Sequence, residues 1–286
     1  MKTIVITHVY QQASPYLREL FDSIDAQTDR EFDLLAFNYG LNKPLSFYGF
    51  NGEEVSNDLN LGLPDARDWA LRYALSHDYE LLILIDADDV MAVDRVEKTK
   101  ADFDDKVGFY YTGLRLLSDT QRDFFDGQLP KEVTTAQTLF SHNFVGLSHF
   151  ALNVKLAANA IRQMDCPLDV IAYDWFLASV LLLNGLKAKQ VDTSTYYRIY
   201  DQNTAGFTNQ LTPEKLRRTI EVKAIHYRVM SEYCYKRALR RESLSYRKQQ
   251  KYYDKLLQQL DSNGDVFTEK LLSTVNSTSA YWWSAI

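Results

Sequence analysis

The sequence predicts an α/β protein with a largely parallel sheet, followed by a basic and mainly helical C-terminal region. Over residues 1–115, short apolar segments rich in β-branched residues alternate with segments of helical periodicity. From Thr212 and Pro213 the chain continues to about Leu260 without glycine or a further proline, which predicts uninterrupted helix. Hydrophobic residues make up 46% and charged residues 24% of the chain, which excludes a disordered protein. We therefore expect an α/β domain over 1–210 and a basic, mainly helical region over 211–286.

Four segments are predicted to be strands: 3–7 (TIVIT), 32–37 (FDLLAF), 81–85 (LLILI) and 107–112 (VGFYYT). The uniformly apolar segments are typical of parallel strands that are covered on both faces. Sheets of this kind bind ligands at the carboxyl ends of their strands. The polar residues that follow three of these strands, at His8, Asn38 and 86–89, should therefore surround one crevice.

Helices are predicted between these strands. Ser14 followed by Pro15 resembles a helix cap and a first helical position, and Pro64 opens a second helix. Residues 169–183 are predicted to form a buried helix, whereas 120–165 show no clear period and are expected to be irregular.

The acidic run after the third strand is the clearest candidate for chemistry. In LLILIDADDV, an extended chain directs Asp86 and Asp88 to the same side, so their carboxylates can converge on one cation. Oxygen ligands of this kind suit Mn²⁺ or Mg²⁺, which keep positions for water and phosphate oxygens. The alternative is an ordinary acidic turn after a strand.

Several motifs in order along residues 1–206 resemble those of family 2 glycosyltransferases. Within 60–89, Asn60, Gly62, Ala66 and Arg67 match the pattern N-x-G-x-x-x-A-R-N that precedes the family's D-A-D-D, although Asp68 replaces the last asparagine. Three further segments are similar to family motifs: SIDAQT at 23–28 to S-I-x-x-Q-T, YDW at 173–175 to E-D-W, and YRIYDQN at 197–203 to Y-R-x-H-x-x-N.

The resemblance implies a GT-A fold, with a nucleotide-binding half, a metal-binding acidic motif and an acceptor-binding half. The position of Asn38 corresponds to a family aspartate that contacts the base, so uridine is the first expectation for the nucleobase. The residues implied to bind the nucleotide sugar are Thr7, His8, Tyr10, Asn38, Arg67, Asp86, Ala87 and Arg198, with Asp86 and Asp88 as metal ligands.

Asp174 is predicted to be the catalytic base, because inverting transfer requires a carboxylate that removes the proton of the acceptor hydroxyl. Its alternative role is a first-turn cap of the predicted helix. Tyr173 and Trp175 are predicted to contact the acceptor, and a core position is the alternative for Trp175. The family's histidine in Y-R-x-H is replaced by Tyr200, so we assign no ligand there.

Charge separates the two regions. Residues 1–212 carry 18 basic and 30 acidic residues, a net charge of −12, whereas 213–258 carry 13 basic and 5 acidic residues, a net charge of +8. The basic helices either lie on an anionic membrane or pack on the acidic domain or a second subunit. No motif favours nucleic-acid binding. No segment is long and apolar enough to span a membrane, and two distant cysteines fit a reducing cytoplasm.

These features predict an inverting, metal-dependent glycosyltransferase that moves a sugar from a nucleotide-diphosphate donor, with a UDP-sugar favoured, to a saccharide or lipid-linked acceptor in polysaccharide assembly. Two alternatives stay open. One is a nucleotidyltransferase that uses the same acidic residues to bind a metal. The other is a catalytically degenerate binding protein, which the substitutions at Asn38, Asp68, Tyr173 and Tyr200 keep open.

Overall fold

A computed structural model describes residues 1–199, 212–274 and 281–284. Within these residues, ten strands form one sheet. The strands are β1 Thr3–Val9, β2 Asp33–Asn38, β3 Glu53–Ser56, β4 Leu81–Asp86, β5 Val90–Met91, β6 Phe109–Leu116, β7 Asp119–Asp123, β8 Glu132–Val133, β9 Phe150–Asn153 and β10 Ala188–Tyr197.

Helices flank this sheet and form the C-terminal region. They are α1 Leu17–Asp25, α2 Leu63–Ser76, α3 Arg95–Ala101, α4 Val154–Gln163, α5 Tyr173–Leu183, α6 Pro213–Lys236 and α7 Arg240–Thr274. Short 3₁₀ turns add to these, one of which, Gln11–Ala13, follows β1 directly. The predicted α/β class and the predicted helical C-terminal region are confirmed.

The strand order is β3-β2-β1-β4-β9-β6-β10-β5, with β7 paired to β6 and β8 paired to β10. Parallel pairing joins β3, β2, β1 and β4, and also joins β6 to β10. The short β9 runs antiparallel between β4 and β6 and connects these two parallel groups. β4 therefore lies near the middle of the sheet, and the acidic motif that follows it lies between the two groups.

The prediction of irregular structure over 120–165 holds for much of 124–149, which contains only the two-residue β8 and short 3₁₀ turns, but it was wrong at β7 and over 150–163. This segment contains β9 and the ten-residue helix α4. The four residues of β9, FALN, are too few to show a period, and their strand conformation depends on pairing with β4 and β6 on both sides.

The observed starts of two helices, α1 and α5, also differ from the predicted starts. α1 begins at Leu17 without a side-chain cap, so Ser14 does not cap it. α5 begins at Tyr173 and not at residue 169. α2 begins with proline in its first turn, as predicted.

The C-terminal region is a helical hairpin and not one uninterrupted helix. Thr212 caps α6 by accepting a hydrogen bond from the backbone N–H of Lys215 at 3.3 Å, and a proline follows it as predicted. The chain then reverses between α6 and α7 at Ala238, which has a positive φ of 58°. An alanine in this conformation gives no turn signal in the sequence. Gly264, with φ of 42°, interrupts α7.

The hairpin shares the largest hydrophobic core with the sheet. Apolar residues of α6 and α7 pack in the same buried cluster as residues of β1, β4, β6 and α5. The hydroxyl of Tyr227 on α6 donates to the backbone oxygen of Phe140 at 3.0 Å. The boundary near residue 210 stays a prediction. Among the described residues, no helix combines the length and hydrophobicity required to cross a bilayer.

Candidate active site

A cleft of about 1020 Å³ opens at the carboxyl ends of β1 and β4. The register places His8 of β1 beside Asp86 of β4. Six residues predicted from the sequence line this cleft: His8, Tyr10, Arg67, Asp86, Asp88 and Asp174. The crevice predicted at the strand ends therefore exists, and it contains both metal-ligand candidates and the candidate base.

The acidic motif begins on the last residue of β4. Five consecutive buried apolar residues, 81–85, fix this strand in the sheet, and Asp86 is the first residue that is not fully buried. The side chain of Asp86 is 37% exposed toward the cleft, and loss of hydration around it raises the pKa of its carboxyl. Asp88 lines the same cleft two residues later, so both carboxylates belong to one cleft, and their convergence on a single cation stays a prediction.

Two buried ionisable side chains lie at this motif: Asp89, which is part of it, and Arg95 on α3. Asp89 is 1% exposed, and burial together with repulsion from Asp88 and Asp86 raises the pKa of its carboxyl well above the ordinary value. Arg95 on α3 is fully buried, and burial lowers the pKa of its guanidinium to about 9, although Asp89 and Asp86 attract its charge. The arginine therefore stays charged near neutral pH and offsets part of the negative charge.

The guanidinium of Arg95 is held by backbone oxygens. It donates to Ser148 and to Leu84 at 2.8 Å each, and to Phe150 at 3.4 Å. These contacts join α3 to β4, to β9 and to the turn before β9. The sequence analysis did not identify this residue.

Arg67 provides the positive charge inside the cleft. It lies in the first half of α2, and its Nη2 is 3.8 Å from Oδ1 of Asp86. Its charge also acts on Asp174, where it opposes the upward pKa shift. The side chain of Arg67 is 19% exposed, and the neighbouring Asp68 pairs with Arg72 instead.

Asp174 lies in the first turn of α5 and lines the cleft. Its Oδ1 accepts a hydrogen bond from the backbone N–H of Trp175 at 2.7 Å. Burial raises the pKa of its carboxyl to about 6, against the opposing attraction of Arg67. A carboxylate with this pKa is a competent proton acceptor near neutral pH.

His8 is neutral in the cleft. Burial lowers the pKa of its imidazole to about 4. Its Nε2 lies 3.1 Å from the backbone oxygen of Ala66, which can only accept, so Nε2 carries the proton and Nδ1 is an acceptor. The predicted position of His8 in the pocket agrees with this geometry.

Four predicted nucleotide-binding residues do not line the cleft. Thr7 lies on the opposite face of β1 from His8. Both ends of the Asn38 amide are used within the protein, because its oxygen accepts from Gly40 and Leu41 and its nitrogen donates to Glu54 at 2.7 Å.

Ala87 is fully buried in the core. Arg198 holds the acidic motif: its Nε donates to the backbone oxygen of Asp88 and its backbone N–H donates to Asp89, both at 2.8 Å. Its guanidinium also pairs with Glu19 and lies over the ring of Tyr16. Arg198 therefore holds the acidic motif and is not among the residues that line the cleft.

The two predicted acceptor contacts are core residues, and we correct that assignment. Trp175 is fully buried, its Nε1 donates to the backbone oxygen of Leu139 at 2.6 Å, and its ring stacks on His226 at 3.7 Å. Tyr173 is 1% exposed. Helix α5 is apolar on all sides and lies in the core, so only its first turn reaches the cleft. Tyr200 lies outside the described residues.

Several cleft residues were not predicted. Tyr39, which follows β2, and Tyr16, which precedes α1, both line the cleft. Trp282 and Trp283 reach it from the chain terminus.

The carboxylates in the cleft fit a divalent cation that takes most of its ligands from water and phosphate oxygens. Among the described residues, no group of three or more His, Cys, Asp or Glu side chains could hold a metal alone. Asp86 and Asp88 supply two carboxylates in one cleft, and Mn²⁺ or Mg²⁺ bound by few protein ligands retains water and phosphate oxygens.

Comparison with known proteins gives a clear result for structure only. No family model matches the chain, and no curated protein matches its sequence. TarS of S. aureus is similar in structure, with a TM-score of 0.55 and 17% identity over 79% of this chain. The chain spans 39% of that protein. TarS 1–349 was solved with UDP-GlcNAc, with a TM-score of 0.55 and 15% identity over 79% of this chain and 66% of that one.

A mannosyltransferase of Pyrobaculum calidifontis, solved with GDP-Man and Mn²⁺, is also similar. Its TM-score is 0.57 and its identity 17%, over 96% of this chain and 79% of that one. Both relatives have the GT-A fold of glycosyltransferases. The predicted GT-A fold is therefore confirmed, whereas membership of family 2 stays a prediction.

Proposed function

We propose that the protein is an inverting, metal-dependent glycosyltransferase that uses a nucleotide-sugar donor, with a UDP-sugar favoured. The observation that carries the proposal is the meeting of Asp86, Asp88, Arg67 and Asp174 in one cleft at the strand ends of a GT-A fold. The structural relatives that were solved with UDP-GlcNAc and with GDP-Man and Mn²⁺ support this class of donor.

The residues divide into two tasks. Asp86 and Asp88 would hold the divalent cation, which would supply positive charge to neutralise the diphosphate. Arg67 adds a positive charge beside them and contacts phosphate oxygens. Tyr10, Tyr16 and Tyr39 provide aromatic surface for the nucleoside, and Nδ1 of His8 accepts a hydrogen bond from it.

Asp174 acts on the acceptor. Its carboxylate removes the proton of the attacking hydroxyl while that oxygen bonds to the anomeric carbon. The bond between the anomeric carbon and the diphosphate oxygen breaks at the same time, and the nucleoside diphosphate leaves with the electron pair. This single displacement inverts the anomeric configuration, and the proton ends on Asp174.

Thermal denaturation with candidate donors tests the proposal. With Mn²⁺, UDP-GlcNAc or GDP-mannose at about 100 times Kd will raise Tm by roughly 8 °C, since a ligand at that ratio stabilises the native state by about 2.7 kcal/mol. Asp88→Ala will abolish the Mn²⁺-dependent part of the shift. Asp58→Ala, which removes an exposed carboxylate outside the cleft, serves as the control.

Product analysis separates the alternatives. Release of a nucleoside diphosphate with sugar transfer supports the proposal, whereas release of pyrophosphate supports a nucleotidyltransferase. If no nucleotide sugar shifts Tm with any divalent cation, the chain is a degenerate member of its fold.

We also propose that the C-terminal hairpin contacts the anionic inner face of the cell membrane. The acidic domain neutralises part of α6, where Arg228 pairs with Asp169 and Lys236 with Asp165. Six exposed cations in the first half of α7 have no acidic partner among the described residues; they are Arg240, Arg241, Arg247, Lys248, Lys251 and Lys255. Leu244 and Tyr252 are exposed among them. Unpaired cations with interfacial apolar side chains suit an anionic lipid surface.

Vesicle co-sedimentation tests this contact. The protein will bind vesicles that contain phosphatidylglycerol and will not bind pure phosphatidylcholine. Replacing Arg247, Lys248 and Lys251 with serine will weaken binding roughly 100-fold, since each cation contributes about 1 kcal/mol near such a surface. The same change at Lys106, Lys131 and Lys187 removes equal charge elsewhere and will have little effect. Equal binding by both triple variants, or a dimer that does not bind lipid, contradicts the proposal.

A further inference from the structure

Residues 281–284 contribute to the cleft that contains Asp88 and Asp174. Residues 281–284 lie against the loop before β9, where the backbone N–H of Asn143 donates to the oxygen of Trp282 at 3.0 Å. The hydroxyl of Tyr281 donates to the backbone oxygen of Gln128 at 2.5 Å, and its ring stacks on His142 at 4.7 Å. These contacts fix the position of this short segment.

Trp282 is the anchor of the segment. It is 7% exposed and packs on Phe125 at 5.2 Å and on Phe124 at 5.5 Å between ring centroids. The residue opposite it is Gly146, where an added Cβ would lie only 2.8 Å from Cη2 of the indole. The loop is therefore shaped to receive a large ring at this position.

Trp283 is held differently. It is partly exposed and lines the cleft that contains Asp88 and Asp174. Its backbone has a positive φ of 63°, which is unfavourable for a bulky residue and persists only where neighbouring contacts impose it. Strain of this kind concentrates at ligand-binding sites.

The position of the two tryptophans along the sheet separates them from the nucleotide-binding residues. His8 lies near the end of β1 and Tyr39 follows β2, whereas Trp282 packs beside β10 at Tyr197. β4 and its acidic motif lie between these strands in the sheet order. A donor with its diphosphate at the acidic motif and its nucleoside at β1 and β2 leaves the tryptophans for the second substrate.

We propose that Trp283, anchored by Trp282, binds a pyranose ring of a saccharide acceptor by stacking. The C–H face of a pyranose is apolar, and an indole ring offers a flat apolar surface of similar size. Trp283 thus takes the role that the sequence analysis assigned to Trp175. This inference rests on the proposed glycosyltransferase function, because it concerns the acceptor of the same site.

Saturation-transfer NMR and titration with chitotriose, mannotriose and galactobiose test the inference, with UDP and GDP binding in Mn²⁺ measured in parallel. At least one saccharide will bind the wild-type protein. Trp283→Ala will weaken that binding about tenfold, and Trp283→Phe will largely retain it. Gly146→Ala will also weaken it, because the added methyl displaces Trp282. Tyr235→Ala, which removes an exposed aromatic residue outside the cleft, is the control.

Nucleotide binding distinguishes failure of the role proposed for Trp283 from failure of the proposed function. If UDP or GDP binds normally but Trp283→Ala binds saccharides as tightly as wild type, or wild type binds none of the three, the role of Trp283 is refuted and the proposed function stands. If neither nucleotide binds the wild-type protein, the proposed function itself fails.

Discussion

Replacing Asp174 with asparagine will lower kcat for sugar transfer by roughly 10²–10⁴-fold, the usual contribution of a general base. The amide keeps an oxygen that can accept the hydrogen bond from Trp175, so the first turn of α5 is retained and only basicity is lost. If Asp174 were merely a helix cap, the variant would be nearly as active as wild type. Donor affinity, measured by titration with Mn²⁺ present, will change little.

Asp165→Asn provides a matched control, because this exposed carboxylate lies outside the cleft and forms only a loose ion pair with Lys236. The pH profile gives an independent check. Burial raises the pKa of Asp174 to about 6, and the base is active only when ionised. The wild-type kcat/KM will therefore fall about tenfold for each pH unit below 6 and level off above it. A flat profile between pH 5 and 7 would contradict this role.

Replacing Arg95 with methionine will destabilise the protein by about 3–5 kcal/mol. Methionine fills similar space but leaves the backbone oxygens of Ser148, Leu84 and Phe150 without their donor. It also removes the positive charge that attracts Asp89 and Asp86. Urea denaturation will report the free energy of unfolding, and Tm will fall by roughly 10 °C.

Arg30→Met is the comparison, because Arg30 is 67% exposed and its pairing with Asp25 contributes less than about 1 kcal/mol. A double-mutant cycle with Asp89→Asn isolates the electrostatic part. The double variant will be less destabilised than the sum of the singles by about 1 kcal/mol. Loss of less than about 1 kcal/mol in Arg95→Met would show that the buried guanidinium does not stabilise the junction of α3, β4 and β9.

The sequence was most informative where local pattern and burial coincide. The uniformly apolar residues 81–85 predict a strand covered on both faces, and the aspartates that follow it must then emerge at the sheet's edge. Asp174 was identified through the motif YDW at 173–175, and its position depends only on where α5 begins. These features are determined within a few consecutive residues.

Residues whose roles depend on distant partners were misjudged or missed. The amide of Asn38 is used by Glu54 on β3, a strand that the sequence EEVS does not suggest. Arg95 is buried because β4 and the loop before β9 present their carbonyls to it. No local signal in the sequence shows that residues 281–284 pack beside Gly146. The acceptor contact was therefore assigned to Trp175, whereas we now propose it for Trp283.

Diffraction from crystals soaked with Mn²⁺ and UDP-GlcNAc, recorded near the manganese absorption edge, tests the central claim most directly. We expect one anomalous peak within coordination distance of the carboxylates of Asp86 and Asp88, with the diphosphate oxygens on its other side and Asp174 facing the anomeric carbon. A nucleotide bound away from this cleft, or manganese that avoids both carboxylates while the sugar donor is bound, would contradict it.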